Sequence, residues 1–145
     1  MSDPLSIAAG VAGLAGLALH GIRQLIDDVN KIREAPKVLE DLQEDLTSVR
    51  LSLEALESID ESHLRTLGPQ VYDQSKAAIA KCTSTCDDFH GDLRSWTKRS
   101  RNDGKLSWRD RTNIGMFKER RIKVMGQQLQ NCRLTLNSVI DTATL

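Results

Sequence analysis

The chain has 145 residues, 28% of them charged, with three prolines and five aromatics. That is enough for one domain with its own core, and the scarcity of proline and aromatics beside abundant Leu and Ala excludes a sandwich or barrel in favour of an all-α fold. The formal net charge is zero, so nothing global points to nucleic acid.

The first predicted helix spans 1–35. Asp3 suits an N-cap and Pro4 the first helical position. Leu5, Ala8, Ala12, Ala15, Leu19, Ile22, Ile26 and Val29 then recur at spacings of three and four. A second stripe, Ile7, Val11, Leu14, Ala18 and Leu25, leaves the first half apolar on nearly every face. The second half, "RQLIDDVNKIRE", is apolar on one side only, and Pro36 closes the pattern. A second helix is expected over 36–58, with Leu39, Leu42, Leu46, Val49, Leu53 and Leu56 as an unbroken seam. "DESHLRTLGP" reads as a turn ended by the Gly68-Pro69 breaker. A third helix, 69–101, carries Tyr72, Ser75, Ile79, Cys82, Cys86, Phe89, Leu93 and Trp96. Asn102-Asp103-Gly104 marks a loop. Ser107 is the expected cap of a fourth helix, 107–144, striped by Ile122, Met125, Leu129, Cys132, Leu136, Val139 and Ala143. Four long amphipathic helices with no strand-like alternation predict an all-α, up-down bundle forming a single domain over 1–145.

The stretch from Leu5 to Ile22, "LSIAAGVAGLAGLALHGI", carries no Asp, Glu, Lys or Arg and contains four glycines. It lacks the leading basic residues of a secretory signal, since only Met-Ser-Asp-Pro precedes it. As a helix it would span about 27 Å, close to the hydrocarbon thickness of a bilayer. Its seven large apolar side chains supply only about −2 to −4 kcal/mol toward insertion. A stability-driven core helix would not choose Gly10, Gly13, Gly16 and Gly21, each about 1 kcal/mol worse than Ala in a helix interior. Small residues in the pairs Ala9/Gly13 and Ala12/Gly16 suit close helix–helix approach in lipid. The expectation is conditional: the segment shelters against the bundle and enters a membrane when several copies gather. Its membrane-insertion residues are Leu5, Ile7, Gly10, Val11, Gly13, Leu14, Gly16, Leu17, Leu19 and Ile22.

Charge is segregated along the chain. Residues 27–61 hold eleven acids and four bases, and residues 94–123 hold eleven bases and three acids. Arg94, Lys98, Arg99, Arg101 and Lys105, beside Trp96, are candidates for contact with anionic lipid; the plainer reading is a helix end whose cations favour the dipole while Trp96 continues the core stripe. Cys82, Cys86 and His90 share one helix face at metal-ligand spacing, but the two cysteines fall on the apolar seam and no fourth ligand stands nearby, so no metal is expected. His20, His63 and His90 are scattered, and no nucleophile elbow, phosphate loop or HExxH motif occurs, so neither catalysis nor a cofactor is expected. Three cysteines, an odd count, suit free thiols in a reducing compartment.

"MSDPLSIAAGVAGLAGLA", "APKVLEDLQEDLTSVRLSLEALE" and "SWRDRTNIGMFKERRIKVMGQQLQNCRLTLNSVI" together resemble fungal HeLo-like N-terminal domains, over essentially the whole chain. Such domains head fungal STAND receptors, which are NLR-like immune proteins, and are similar in role to the four-helix domain of the mixed-lineage kinase-like necroptosis executioner. The resemblance implies a cell-death execution domain that is cytoplasmic at rest. Clustering would release its first helix, and the plasma membrane would be permeabilised. It also implies homo-oligomerisation and a nucleotide-binding NTPase module further along a full-length protein; anionic membrane lipid as partner is an inference from the charge of residues 94–123 and not from the resemblance. The alternative expectation is a signalling adaptor whose bundle oligomerises or binds partner helices without touching a membrane.

Overall fold

The computed structural model describes residues 10–33, 36–97, 106–107 and 115–144. They form helices α1 (Gly10–Asn30), α2 (Lys37–Glu57), α3 (Glu61–Thr66), α4 (Pro69–Thr97) and α5 (Gly115–Ala143), with two-residue strands β1 (Ile32–Arg33) and β2 (Leu106–Ser107). The architecture is the expected all-α bundle.

Three of the four seams pack as their spacing dictates. Every large apolar residue of the α2, α4 and α5 stripes is buried, with Leu39, Leu46, Leu53, Leu56, Ile79, Cys82, Phe89, Leu129 and Leu136 wholly inaccessible. A side chain of this kind gains about 1.5–3 kcal/mol on leaving water. Phe89 and Trp96 meet edge to face, ring centroids 5.8 Å apart at 79°. The ammonium of the buried Lys118 lies 5.8 Å from the Trp96 ring centroid.

The helices are not neighbours in simple chain order. α1 packs against α2 and α4, and α5 packs against the same two, so α2 and α4 stand diagonally opposite. Side-chain contacts fix the directions. His90 pairs with Asp28 and Tyr72 with Glu61 beside Val11, so α1 and α4 run parallel. Ser52 Oγ donates to Asn137 Oδ1 at 2.8 Å and Gln130 reaches Asp45, so α2 and α5 also run parallel. Moving from α2 to α4 therefore means crossing the end of the bundle. α3 makes that crossing, burying Leu64 at 1% exposure while His63 Nε2 donates to the Ala143 carbonyl at 2.7 Å.

Three details differ from the sequence expectation. α1 ends at Asn30, not near Pro36, because Ile32–Arg33 leaves the helix to pair in parallel with Leu106–Ser107. Ser107 is thereby a strand residue and not a helix cap. "DESHLRTLGP" contains the helix α3, whose Glu61 sits in the first turn and whose His63 and Arg65 sit in the last, as the helix dipole favours. α4 is described to Thr97 and α5 from Gly115, so the expected ends at 101 and 107–114 and the Asp3-Pro4 cap lie outside the described residues, save Ser107.

Candidate functional site

The glycine-rich stretch becomes the first half of α1, seated between α2 and α4. Leu5 and Ile7 lie outside the described residues. Of the other expected membrane residues, Val11, Leu19 and Ile22 are buried in the bundle core together with Ala15 and Ala18. Gly13, Leu14 and Gly16 are half-buried, and Leu17 is 56% exposed. The set is thus divided between an inward and an outward face.

The core face straddles both stripes read from the sequence. Ala12, from the main stripe, is only half-buried, whereas Val11, Ala18 and Leu25 from the second stripe are buried. The opposite face holds no charge before Arg23. It consists of Ala12, Gly13, Gly16, Leu17, His20 and Gly21, with His20 bonded to Gln24 one turn on. The helix is apolar outside as well as inside, but its outer residues are mostly small.

The glycines differ in what the bundle asks of them. Gly10 has φ +67°, the left-handed region, and a methyl group there would sit 2.2 Å from Glu61 Oε1. Among the described residues a Cβ at Gly21 would meet nothing within 4 Å, and one at Gly16 only the flexible end of Glu57, at 3.4 Å. Packing therefore requires glycine at position 10 and not at 16 or 21.

Polar contacts tie α1 in place along its length. Glu61 Oε1 accepts the Val11 N–H at 3.3 Å and also the Tyr72 hydroxyl. Burial first, and then the Glu61 carboxylate, push the Tyr72 phenol above its usual range. Arg23 Nη2 reaches Glu54 Oε2 at 3.4 Å, and Asn30 accepts from Gln43. His90 Nε2 stands 2.9 Å from Asp28 Oδ2. Glu61 went unnoticed in the sequence because it is fifty residues from the turn it serves. The local signal was present all the same: Asp60 at the cap position, Glu61 in the first turn and the bases His63 and Arg65 two and four residues after it mark a short helix.

The basic candidates are less fully placed. Arg94 is exposed on the last turns of α4, while Lys98, Arg99, Arg101 and Lys105 lie outside the described residues. Trp96 is 8% exposed and belongs to the core stripe. Among the described bases of α5, Arg121 Nε pairs with Asp92 at 2.7 Å and Lys123 with Glu119 at 3.3 Å.

Cys82, Cys86 and Cys132 are free, buried thiols at the α4–α5 contact. Cys132 Sγ donates to the Ala78 carbonyl at 3.7 Å. Cys82 is lowered by a hydrogen bond from Cys132, but Cys86 and burial outweigh this, and its thiol stays far above the usual range. Cys132 is raised by Cys82 and by burial. Among the described residues no group of three or more His, Cys, Asp or Glu is placed to hold a metal ion. A groove of 480 Å³ between α2 and α5 has Leu42 and Ile122 in its lining, where Lys37 pairs with Asp41, Lys123 pairs with Glu119 and Asp45 accepts from Gln130. Among the described residues no helix is long and apolar enough to cross a membrane.

No curated protein and no solved structure matches the chain. A family model does, over residues 2–145, for the N-terminal part of a pigment biosynthesis cluster protein, PigL, and is compatible with a fungal helical domain. Matched over nearly its whole length, the chain belongs to the PigL N-terminal domain family.

Proposed function

We propose that this domain disrupts membranes as the execution module of a fungal NLR-like immune receptor, held inactive as a bundle and activated by oligomerisation. The observation that carries the reading is the outer face of α1. Gly16 and Gly21 have room for a methyl group in the bundle, yet each costs about 0.8–1.0 kcal/mol of helix stability relative to Ala. Their neighbour Leu17 is exposed and no charge interrupts the face before Arg23. Such a surface suits close approach to lipid or to other copies of the same helix better than it suits water.

Energetics explain why gathering of copies is part of the reading. Withdrawing α1 uncovers Val11, Leu19 and Ile22, at about 1.5–3 kcal/mol each. Transfer of the stretch to a bilayer returns about 2–4 kcal/mol. A lone copy therefore stays folded, and contacts between released helices must supply the difference. Homo-oligomerisation is thus the trigger, anionic lipid the partner, and the plasma membrane the place of action of a chain that waits in the cytoplasm. Arg94, with Lys98, Arg99, Arg101 and Lys105, would meet lipid phosphates. A family described by an N-terminal part agrees with a domain at the head of a longer chain, where an NTPase module would drive clustering. No catalytic step belongs to this reading.

A second reading has its own support. Val11, Ala15, Ala18, Leu19 and Ile22 make α1 a full member of the core, as an adaptor bundle that never opens would require. Fusion to a trimerising coiled coil separates the two. The membrane reading expects dye release from phosphatidylserine vesicles by the trimer and little by the unfused chain. Equal, negligible release by both favours the adaptor.

A further inference from the structure

The first half of α1 is lightly anchored by apolar contact. Between Gly10 and Ala18 the buried side chains are Val11 and two alanines, whereas Leu19, Ile22, Leu25 and Val29 hold the second half. A helix so divided opens from its N-terminus unless something else retains the first turn.

That retention comes from α3. Glu61 Oε1 accepts the Val11 N–H, one of the donors that a helix start leaves without an internal partner. The same oxygen accepts the Tyr72 hydroxyl from α4. Among the described residues the buried Glu61 Oε2 has no hydrogen-bond partner, so the carboxylate is held at the contact at some cost in solvation. Arg65 Nη2 lies 3.9 Å from Oε1, and its guanidinium carbon is 4.8 Å from the Tyr72 ring centroid. Gly10 leaves the space the carboxylate fills, since a Cβ there would lie 2.2 Å from Oε1 and 3.0 Å from the Tyr72 oxygen. Residues of α1, α3 and α4 thus converge on one carboxylate at the positive end of the α1 dipole.

We infer that Glu61 is a latch on α1, an autoinhibitory contact that sets how readily the glycine-rich half of the helix opens. The consequence for lipid rests on the membrane reading above; the latch itself does not. Because α3 also holds the Ala143 carbonyl through His63, a pull on the end of α5 would reach the same six-residue helix.

The test is amide hydrogen exchange of the intact chain, read by NMR at Leu14 and Ala15, whose helical acceptors are the carbonyls of Gly10 and Val11. Phe89 and Leu129 amides serve as references. Glu61→Ala is expected to speed exchange at Leu14 and Ala15 about tenfold with the references unchanged, and Tyr72→Phe severalfold in the same direction. Flotation with phosphatidylserine vesicles is expected to rise in both variants. Faster exchange without added flotation supports the latch and counts against the membrane reading. Should Glu61→Ala loosen Phe89 and Leu129 equally, Tyr72→Phe decides. The latch is overturned by unchanged Leu14 and Ala15 exchange in both variants, or by loss confined to the global kind.

Discussion

His90 Nε2 on α4 lies 2.9 Å from Asp28 Oδ2 on α1, near the ends where these parallel helices finish. The Glu61 contact holds the same two helices near their starts. α1 is therefore tied to α4 at both ends by polar contacts and between them by apolar packing. The His90–Asp28 side chains are 25% and 31% exposed, so solvent screens the pair. A double-mutant cycle with Asp28→Ala and His90→Ala, read by urea unfolding, is expected to give a coupling of up to about 1 kcal/mol. A coupling near zero would mean that this pair adds nothing to the hold of α4 on the end of α1.

Two glycine variants are expected to move stability in opposite directions. Gly21→Ala meets open space inside a helix and should stabilise the bundle by about 0.5–1 kcal/mol. Gly10→Ala forces a methyl into the Glu61 carboxylate at a left-handed φ and should destabilise by about 1–3 kcal/mol. Thermal melts of both variants check this. A destabilised Gly21→Ala would mean that α1 needs glycine there for a reason within the resting bundle.

The thiols give a dependence on pH. Cys82 and Cys132 keep their protons in the bundle well beyond the ordinary value of 9.0. In the unfolded chain they ionise near that value. Ionisation then favours the unfolded chain, so stability is full below about pH 9 and falls as pH rises past it. Urea midpoints between pH 8 and 10.5 are expected to drop, and less so in Cys82→Ala. Iodoacetamide at pH 8 should label these two thiols slowly in buffer and quickly in urea.

The bundle was legible where large apolar residues recur on one face only. Leu39 to Leu56 and Ile122 to Ala143 are buried as their spacing implied. α1 was harder to read because apolar residues surround it. Periodicity cannot choose a face when every face qualifies, and it favoured Ala12 where Val11 and Leu25 are the buried residues. α3 was hidden by its length of six residues and by the Gly68-Pro69 signal beyond it. Long-range contacts left no local trace. The pairing of Ile32–Arg33 with Leu106–Ser107 displaced the Ser107 cap, and the diagonal placement of α2 and α4 follows from a crossover that chain order does not specify.

Removing residues 2–22 would delete the buried core side chains Val11, Ala15, Ala18, Leu19 and Ile22 and melt either kind of bundle, so truncation does not separate execution from adaptor. A single outward change does. Among the described residues Leu17 is the exposed large apolar side chain of α1, and Leu17→Glu should leave unfolding free energy within about 0.5 kcal/mol of the parent. Leu14→Glu, at a half-buried position, should cost more.

The central claim is that the outer face of α1 acts on lipid. Dye release from phosphatidylserine vesicles by the coiled-coil-trimerised chain and its Leu17→Glu variant, with circular dichroism of both, tests it most directly. The account expects matched helical content and melting temperature, with release by the parent reduced at least about tenfold in the variant, a charge at the bilayer centre costing about 2.5–3.5 kcal/mol per helix. Equal release by two equally folded proteins would contradict it.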